Sequence, residues 1–313
     1  MKKLEAFMII KNEAEMLDDA LNSIHGVDKI TICDTGSSDG TFDIYEKHKV
    51  NWFKYSKFNT AQYSFKSFSD ARNECKQHCT GDWLLYIDGD EVYSEGAVKK
   101  IKNMINSQWI KDFDALILEV NTDQDVTYQP RVIRNKPTMW YFATVHNSLR
   151  VFPDGIDGPN ETFPASKYYS TSIQVRANVS PNHEREPDRS LILLLEQLDT
   201  QPFNDRYLYY VTREWLNRRE PIKALYYLNR YFKVAPPTNE SADAYFLAAT
   251  CHYELGDKMA AMECAMKAVM ILPSFKQAWQ MLEGISHPDW RQYWNHMVRR
   301  ADNKGVLFIR DTK

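Results

Sequence analysis

The stretch LLYIDGDE, residues 84–91, decides the fold of the first part of this chain. An apolar run leads directly into three carboxylates, Asp88, Asp90 and Glu91, and Gly89 separates the first two. A short apolar run of this kind is typical of a strand buried inside a sheet. Negative charge concentrated at the end of such a strand is costly unless a positive group neutralises it. The stretch therefore predicts a central strand that ends at a cation-binding site.

Strand-like and helix-like segments alternate on both sides of this stretch, from residue 1 to about residue 180. Strands are predicted at residues 4–10, 29–34, 52–55, 82–88, 113–120 and 131–135, and helices at residues 12–24, within 35–48 and at 69–79. Strands that alternate with helices imply right-handed crossovers and a mainly parallel sheet covered on both faces. We therefore predict an α/β domain over residues 1–185.

The remaining sequence, residues 186–313, has no strand signal and repeats itself. Residues 206–236 align with residues 243–273 at a constant offset, and each aligned segment ends in a proline. Paired helices that recur in this way are typical of a solenoid. The pattern resembles the tetratricopeptide repeat, and a simple helical bundle is the alternative. We predict an all-α, tetratricopeptide-like repeat domain over residues 186–313.

Composition narrows the protein class without naming a function. The formal net charge of −3 argues against a chain that coats nucleic acid. No apolar stretch is long enough to span a bilayer, and the run near the N-terminus is too short for a signal peptide. Five scattered cysteines favour reduced thiols, although Cys75 and Cys79, with His78 between them, leave a zinc site as an alternative. These features predict a cytoplasmic protein.

Polar side chains follow three of the predicted strands at the point where each strand ends. They are Lys11, Asn12 and Glu13 after the first strand, Asp34 and residues 35–40 after the second, and Asp88, Gly89, Asp90 and Glu91 after the fourth. Ligands of open parallel sheets bind at the carboxyl ends of the strands. The three groups are therefore predicted to form one binding site.

Asp88 and Asp90 are the predicted metal ligands. Gly89 lets the backbone turn without steric cost, so that both carboxylates can face one ion. Oxygen ligands suit Mg²⁺ or Mn²⁺, which commonly bridge to the phosphates of a substrate. A solvated acidic turn is the alternative interpretation.

Two further residue types fit a nucleotide ligand. Asp34 ends a buried strand, where its carboxylate could accept hydrogen bonds from a base or a ribose. Arg72 lies on the helix before the metal strand, and an arginine fork pairs well with diphosphate oxygens. The alternatives are a surface arginine and, for residues 37–39, a loop that only starts the next helix.

Three ordered segments together resemble glycosyltransferase family 2. They are MIIKNEAEMLDDALNSI (8–24), ITICDTGSSDGTFDI (30–44) and FSDARNECKQHCTGDWLLYIDGDE (68–91). The resemblance implies the GT-A fold, with a mainly parallel central sheet, and transfer of a sugar from a nucleotide diphosphate. With a helical repeat region appended, the chain resembles cytosolic transferases that modify proteins or lipopolysaccharide cores.

The resemblance also implies roles for individual residues. The nucleoside would be bound by Asn12, Glu13 and Asp34, the diphosphate by Arg72, and the metal and donor phosphates by Asp88 and Asp90; Lys11 and Arg134 complete the predicted donor-binding set. A histidine near the domain junction, His183, would complete the metal shell. Nitrogen ligation would favour Mn²⁺ slightly over Mg²⁺.

The sequence departs from the family pattern at residue 147. The segment PRVIRNKPTMWYFATVHNSL (130–149) contains His146 followed by Asn147, where such transferases tend to have a His-Glu pair. An inverting transferase needs a base that takes the proton of the acceptor. We predict His146 as that base, alongside catalytic Asp90. Asp157, Glu161 and Glu184 are alternatives, and a retaining mechanism would not need such a base.

The predicted function is metal-dependent transfer of a sugar, from a UDP-sugar, to an acceptor hydroxyl or thiol. The acceptor is left open between a protein, a glycan and a modified nucleic-acid base. The nucleic-acid base is included because arginines and tyrosines alternate in the repeat region, and such side chains, if exposed together, suit exposed bases. A homodimer formed through the repeats is a further possibility. The alternative function is a catalytically degenerate module that recruits a partner through its repeats.

Overall fold

The computed structural model describes residues 1–56, 67–122, 126–152, 167–181 and 185–306. The chain divides into two compact units, Met1–Arg189 and Ser190–Lys313. The predicted boundary after residue 185 lies close to this division. In the described part of the chain, no helix combines the length and the apolar character needed to cross a membrane.

A sheet of eight strands organises the described part of the first unit, and a two-stranded hairpin accompanies it. The strands are β1 (Leu4–Ile10), β2 (Lys29–Asp34), β3 (Asn51–Lys54), β4 (Trp83–Tyr86), β5 (Glu91–Tyr93), β6 (Ala115–Asn121), β7 (Val126–Arg134), β8 (Met139–Phe142), β9 (Ser148–Val151) and β10 (Tyr168–Ala177). The large sheet has the order β3-β2-β1-β4-β7-β6-β10-β5, and β8 pairs with β9.

Parallel pairing predominates in the sheet. Strands β3, β2, β1 and β4 pair in parallel, as do β6 and β10, while β7 is antiparallel to β4 and β6, and β5 is antiparallel to β10. Only residues 87–90 connect β4 to β5, although β5 lies at the far edge in strand order. The sheet must therefore curl. The predicted α/β class with a mainly parallel sheet is confirmed.

The helices of the first unit cover the sheet on both faces. They are α1 (Leu17–Ser23), α2 (Thr41–His48), α3 (Phe68–Gln77) and α4 (Ala97–Asn106), with a 3₁₀ turn at Trp109–Asp112. Along β4 the side chains alternate between two cores: Trp83 and Leu85 pack into one, and Leu84 and Tyr86 into the other. Because both faces of β4 are buried, its sequence is apolar throughout.

The predicted elements differ from the structure in a few places. The helix expected at residues 12–24 begins only at Leu17, because Asn12 has a positive φ of 54° and the chain turns there first. The strand expected at residues 131–135 is the end of the longer β7. The hairpin β8–β9 and strand β10 were not predicted; β10 depends on pairing with β6, more than 50 residues away in sequence.

From residue 189 onward, the described elements are all helices. They are α5 (Arg189–Thr200), α6 (Asp205–Asn217), α7 (Pro221–Tyr231), α8 (Asn239–Glu254), α9 (Lys258–Ile271), α10 (Lys276–Ile285) and α11 (Pro288–Arg300). The aligned segments therefore correspond to the pairs α6–α7 and α8–α9. Equivalent positions such as Ala224 and Ala261 are both fully buried. The all-α prediction is confirmed, and the assignment to the tetratricopeptide class stays a prediction.

Candidate functional site

The acidic turn after β4 is held by hydrogen bonds from its own backbone and from a neighbouring strand end. The backbone N–H of Asp88 donates to Oε2 of Glu91 at 3.0 Å. The carbonyl oxygen of Asp90 accepts from the backbone and side-chain nitrogens of Asn178, at 3.1 and 3.0 Å. A Cβ atom at Gly89 would lie 2.9 Å from side-chain atoms of Glu13. Only glycine therefore lets the turn pack against the end of β1.

Asp88 lies beside two arginines. One oxygen is 3.3 Å from Nη2 of Arg72, and the other is 3.5 Å from Nη1 of Arg131. The Tyr86 hydroxyl also donates to this carboxylate. Burial alone would raise the pKa of Asp88, but the arginines and the hydroxyl outweigh burial and lower it. Asp88 is therefore an ionised carboxylate in an electrostatically stabilised position.

Arg72 reaches the acidic turn from α3, as the sequence predicted. Its guanidinium donates to the Tyr86 hydroxyl and to the side-chain oxygen of Asn147, and it lies 4.5 Å from the centre of the Tyr86 ring. The side chain is 14% exposed. An arginine that is positioned by several polar partners and still reaches solvent can bind an anionic ligand.

Arg131 and Glu91 were not among the assigned donor or metal residues, yet they complete the site. Nη2 of Arg131 lies 2.5 Å from Oε1 of Glu91, and the side chains are only 5% and 3% exposed. Burial raises the pKa of Glu91 to about 7, although Arg131 acts in the opposite direction. Glu91 was one of the acids noted at the end of the fourth predicted strand, but the sequence assigned it no role of its own. Arg131 gave no comparable signal, because its partner is 40 residues away.

Asp90 carries the surplus negative charge of the site. Burial, together with the neighbouring carboxylates of Asp88, Glu91 and Glu13, raises its pKa to about 7. Within the described ranges, the arginines pair with Asp88 and Glu91 rather than with Asp90. The site therefore holds a carboxylate whose charge no arginine compensates.

The residues present fit a divalent cation that is shared with a ligand. Among the described residues, no three His, Cys, Asp or Glu side chains converge on one point that could hold a metal. Mg²⁺ sites, however, often use one or two carboxylates and complete their shell with substrate phosphates and water. The uncompensated Asp90 beside Asp88 suits such a site. The predicted third ligand, His183, lies outside the described residues.

Asp34 organises the loop after β2. Its Oδ1 accepts from the backbone N–H groups of Gly36 and Ser37, both at 2.9 Å, and its Oδ2 accepts from the Tyr45 hydroxyl at 2.9 Å. Burial, together with the Asp34 charge, raises the pKa of Tyr45, which keeps that hydroxyl protonated. The carboxylate is buried and shapes the loop from within.

Asn12 connects the end of β1 to the loop after β2, and Glu13 connects it to the segment that follows β10. The backbone N–H of Ser38 donates to Oδ1 of Asn12 at 2.7 Å. Glu13 accepts from the Ser180 hydroxyl at 2.8 and 3.0 Å. The Nζ atom of Lys11 lies 2.5 Å from Oε1 of Glu186. The ends of β1, β2 and β4 thus meet, as the sequence predicted.

Arg134 does not reach this edge of the sheet, which corrects its assignment to the donor site. It pairs in register with Trp83, the first residue of β4, whereas the acidic turn follows the last. Its guanidinium donates to the carbonyl oxygens of Phe113 and Ile110, both at 2.7 Å. Arg131 takes its place because it lies three residues earlier on a strand antiparallel to β4.

His146 lies in the turn of the hairpin β8–β9 and is exposed. Both His146 and Ala143 have positive φ, at 52° and 73°. Asn73 fixes the hairpin to α3, because its side chain exchanges two hydrogen bonds of 2.8 Å with the backbone of Tyr141. The structure brings the neighbouring Asn147 to Arg72, and the catalytic role of His146 stays a prediction.

The zinc alternative receives no support from the described residues. The Cys75 thiol donates to the carbonyl oxygen of Met8, and the Cys79 thiol donates to that of Cys75. The His78 ring stacks on Phe53, with 4.0 Å between ring centres. These cysteines are buried helix residues, and the cysteines of the chain are free thiols.

The mainly parallel sheet that curls beside the acidic turn has the architecture expected of the GT-A fold. Residues 6–160 match the family model described as glycosyl transferase family 2. This part of the chain therefore resembles glycosyltransferase family 2, as the sequence predicted, and the match supports the enzyme class expected from the sequence.

Curated relatives carry the same class name. The chain is 24% identical to the SPbeta prophage-derived glycosyltransferase SunS of Bacillus subtilis, over 66% of this chain and 48% of the relative. It is 28% identical to an uncharacterized glycosyltransferase of Rickettsia bellii, over 55% of this chain and 62% of the relative. The chain thus spans less than two thirds of the length of either relative.

Solved structures show weaker similarity. Staphylococcus aureus TarS covers 97% of this chain, which covers 54% of TarS, at 13% identity and a TM-score of 0.42. Glucosyl-3-phosphoglycerate synthase from Mycobacterium tuberculosis, solved with Mn²⁺ and UDP, aligns over 39% of this chain and 44% of its own, at 14% identity and a TM-score of 0.31. Similarity at this level does not identify a ligand.

Proposed function

We propose that this protein transfers a sugar from a nucleotide-diphosphate donor, with UDP as the first nucleotide to test, to a hydroxyl or thiol of an acceptor. The observation that carries the proposal is the pairing of Arg72 with Asp88, next to the uncompensated Asp90, where β1, β2 and β4 end. Positive and negative groups side by side in a buried position suit a diphosphate that arrives with a cation.

Arg72 is the proposed diphosphate-binding residue, and Asp88 and Asp90 are the proposed carboxylates that hold Mn²⁺ or Mg²⁺, with His183 as a further ligand. The cation, when bound, supplies charge stabilisation for the departing diphosphate. Arg72 adds stabilisation from the protein side, because its guanidinium lies 3.3 Å from Asp88 and is already oriented by Tyr86.

The nucleoside is proposed to bind against the loop after β2. Asp34 accepts two backbone hydrogen bonds from this loop, and Asn12 accepts a third from Ser38. This bonding fixes the loop before any ligand arrives, which lowers the entropic cost of binding. Asn12, Glu13 and Asp34 therefore act through the shape of the pocket as well as through direct contact, and Lys11 lies at its margin.

The acceptor side is proposed to use His146 as the base of an inverting reaction. The base takes the acceptor proton as the acceptor oxygen or sulfur attacks the anomeric carbon, and the diphosphate leaves with the electrons of the broken bond. His146 is exposed, and it precedes the residue that contacts Arg72. A protein, a glycan or a modified nucleic-acid base remains the proposed acceptor class, with the helical repeats orienting it or joining two copies in a homodimer. The predicted cytoplasmic location is part of the same proposal.

Binding of the donor can be tested without knowing the acceptor. Thermal melting of the protein is followed with a panel of nucleotide sugars, each with Mn²⁺ and each with EDTA. We expect one UDP-sugar to raise the melting temperature only when the metal is present, because a ligand that binds the folded state stabilises it. If no nucleotide sugar changes the melting temperature under either condition, the proposed function is wrong.

A catalytically degenerate module that recruits a partner is the second candidate. Asn147, in the position where related transferases tend to have an acid, is the observation in its favour. The two candidates differ in donor hydrolysis, which a transferase performs slowly in the absence of acceptor. A protein that binds a partner through its repeats and releases no sugar from any donor would support the module.

A further inference from the structure

Arg189, the last residue of the first unit, lies against the same aromatic ring as Arg72. The guanidinium carbons of Arg72 and Arg189 are 5.9 and 5.1 Å from the centre of the Phe68 ring. Phe68 and Arg72 are four residues apart on α3, so they share one face of that helix. The segment after β10 therefore brings a further cation to the neighbourhood of the arginine proposed for the diphosphate.

Arg189 shares its carboxylate with another cation. Its Nη1 atom is 3.5 Å from Oε2 of Glu186, and Oε1 of the same carboxylate is 2.5 Å from Nζ of Lys11. Two cations thus meet one acid, and these three side chains together carry a net positive charge. The Arg189 side chain is 16% exposed, so it still reaches solvent.

The ion pairs of Arg72 resemble those of Arg189, whereas the ion pairs of Arg131 do not. Arg72 shares Asp88 with Arg131, at 3.3 and 3.5 Å, and its side chain is 14% exposed. Arg131 has in addition the buried carboxylate of Glu91 at 2.5 Å. A closely paired, buried arginine stays with its partner, because breaking such a pair is costly. Arg72 and Arg189 are paired more loosely, and their like charges repel each other unless an anion binds between them.

We propose that Arg189 is a second diphosphate-binding residue, and that phosphate oxygens of the donor replace Glu186 as its partner. This inference rests on the proposed function, because it takes the ligand to be a nucleoside diphosphate. A diphosphate carries more negative charge than one arginine balances, and a second guanidinium fork can bind its other phosphate. Glu186 orients Arg189 before the ligand binds and stays paired with Lys11 afterwards.

Arg185 provides a matched control, because it belongs to the same segment but is 54% exposed and pairs with Glu15 at 2.8 Å. Binding of UDP with Mn²⁺ is measured by calorimetry, and binding of uridine by NMR titration, for the wild type, Arg189→Gln and Arg185→Gln. We expect Arg189→Gln to weaken UDP binding by about tenfold or more, since hydrogen bonds between charged groups contribute at that level. UDP binding to Arg185→Gln should change by less than about twofold, because an exposed ion pair contributes little. Uridine binding to Arg189→Gln should be unchanged, because uridine carries no phosphate.

Two further variants test the exchange of partners and serve in case Arg189→Gln does not fold. Glu186→Gln removes the carboxylate that competes with the diphosphate, so UDP should bind about twofold more tightly or better, which is the size of a partly exposed ion pair. Arg189→Lys keeps the charge but loses the fork, so it should bind UDP more weakly than the wild type does.

The outcomes separate this inference from the proposed function. If folded Arg189 variants bind UDP as tightly as the wild type does, or if Glu186→Gln binds it more weakly, the role of Arg189 is wrong while the proposed function stands. If the wild type binds no nucleoside diphosphate with Mn²⁺ or Mg²⁺, the proposed function is wrong, and the inference with it.

Discussion

The two ends of strand β4 carry opposite surpluses of charge. At its amino end, Asp114 is surrounded by three cations, Arg134 at 3.8 Å, Lys136 at 2.6 Å and Lys167 at 3.7 Å. At its carboxyl end lie three acids and two arginines, and the arginines pair with Asp88 and Glu91. The lysines at the amino end are 43% and 58% exposed, so water compensates the surplus there.

The surplus at the carboxyl end is less exposed, since Asp90 is half-buried and the arginines beside Asp88 are only 14% and 5% exposed. Burial and neighbouring acids raise the pKa of Asp90 to about 7, which shows that the folded chain tolerates this charge poorly. A buried surplus of one sign is a feature of sites that bind an ion or a charged ligand. The comparison teaches that the exposure of a charge cluster, rather than its composition, separates a binding site from a structural ion pair.

The largest effect is expected at Asp90. Asp90→Asn removes the uncompensated charge with almost no change of shape, so we expect turnover to fall by about 100-fold or more while the protein still folds. Sugar transfer or donor hydrolysis and the free energy of unfolding are measured on the same samples. Undiminished turnover would remove the metal-binding assignment.

The arginines at the two ends provide a matched pair. Arg72→Lys should lower kcat/KM by about tenfold or more, because lysine cannot reproduce the fork that contacts both Asn147 and Tyr86. Arg134→Lys should leave kcat/KM unchanged and lower only the stability of the fold, since Arg134 bonds to carbonyl oxygens of a distant turn. An equal loss of activity in both variants would contradict the corrected position of Arg134.

The pH dependence of stability should also distinguish the two ends. The pKa of Asp90 is raised from its ordinary value of 3.8 to about 7, so the folded state binds this proton more tightly than the unfolded state does. Its contribution to stability is complete below about pH 4 and is lost as the pH rises through about 7. We expect the ligand-free protein to lose on the order of 1 kcal/mol between pH 5 and pH 8. Asp90→Asn should flatten that slope in urea titrations, and an unchanged slope would assign it to other groups.

The smallest effect is expected at the amino end. Asp114→Asn removes the shared carboxylate of three cations, two of which are partly solvated, so the free energy of unfolding should fall by about 1 kcal/mol. Nucleotide binding should not change, because the side chain lies at the other end of β4. If Asp114→Asn weakened nucleotide binding as much as Arg72→Lys does in the same assay, the comparison between the two ends would be wrong.

Much of the site could be predicted because strand ends in a parallel sheet meet at one edge. Asn12, Asp34 and Asp88 each directly follow or end a strand, and β1, β2 and β4 pair in parallel, so their positions follow from the order of the elements. Arg72 followed from its place on the helix before β4. The structure places all four at this edge.

The remaining part depends on contacts between distant segments. Arg131 and Arg134 are both on β7, and only the antiparallel register between β4 and β7 decides which of them reaches the acidic turn. Asn147 reaches Arg72 through a hairpin that Asn73 fixes to α3, across 68 residues of sequence. No local pattern encodes either contact, because each depends on where two separate elements pack.

The sequence by itself determined the α/β class, the all-α second part and the edge of the sheet where the acids lie. Hydrophobic periodicity and the succession of strands and helices along the chain are local properties, and these three conclusions depend on them. The tertiary structure decided which cation faces which acid. The curl of the sheet brings Glu91 to Arg131, and the hairpin brings a neutral amide to Arg72. Electrostatic balance depends on distances of a few ångströms between residues far apart in sequence, and only the packed fold sets those distances.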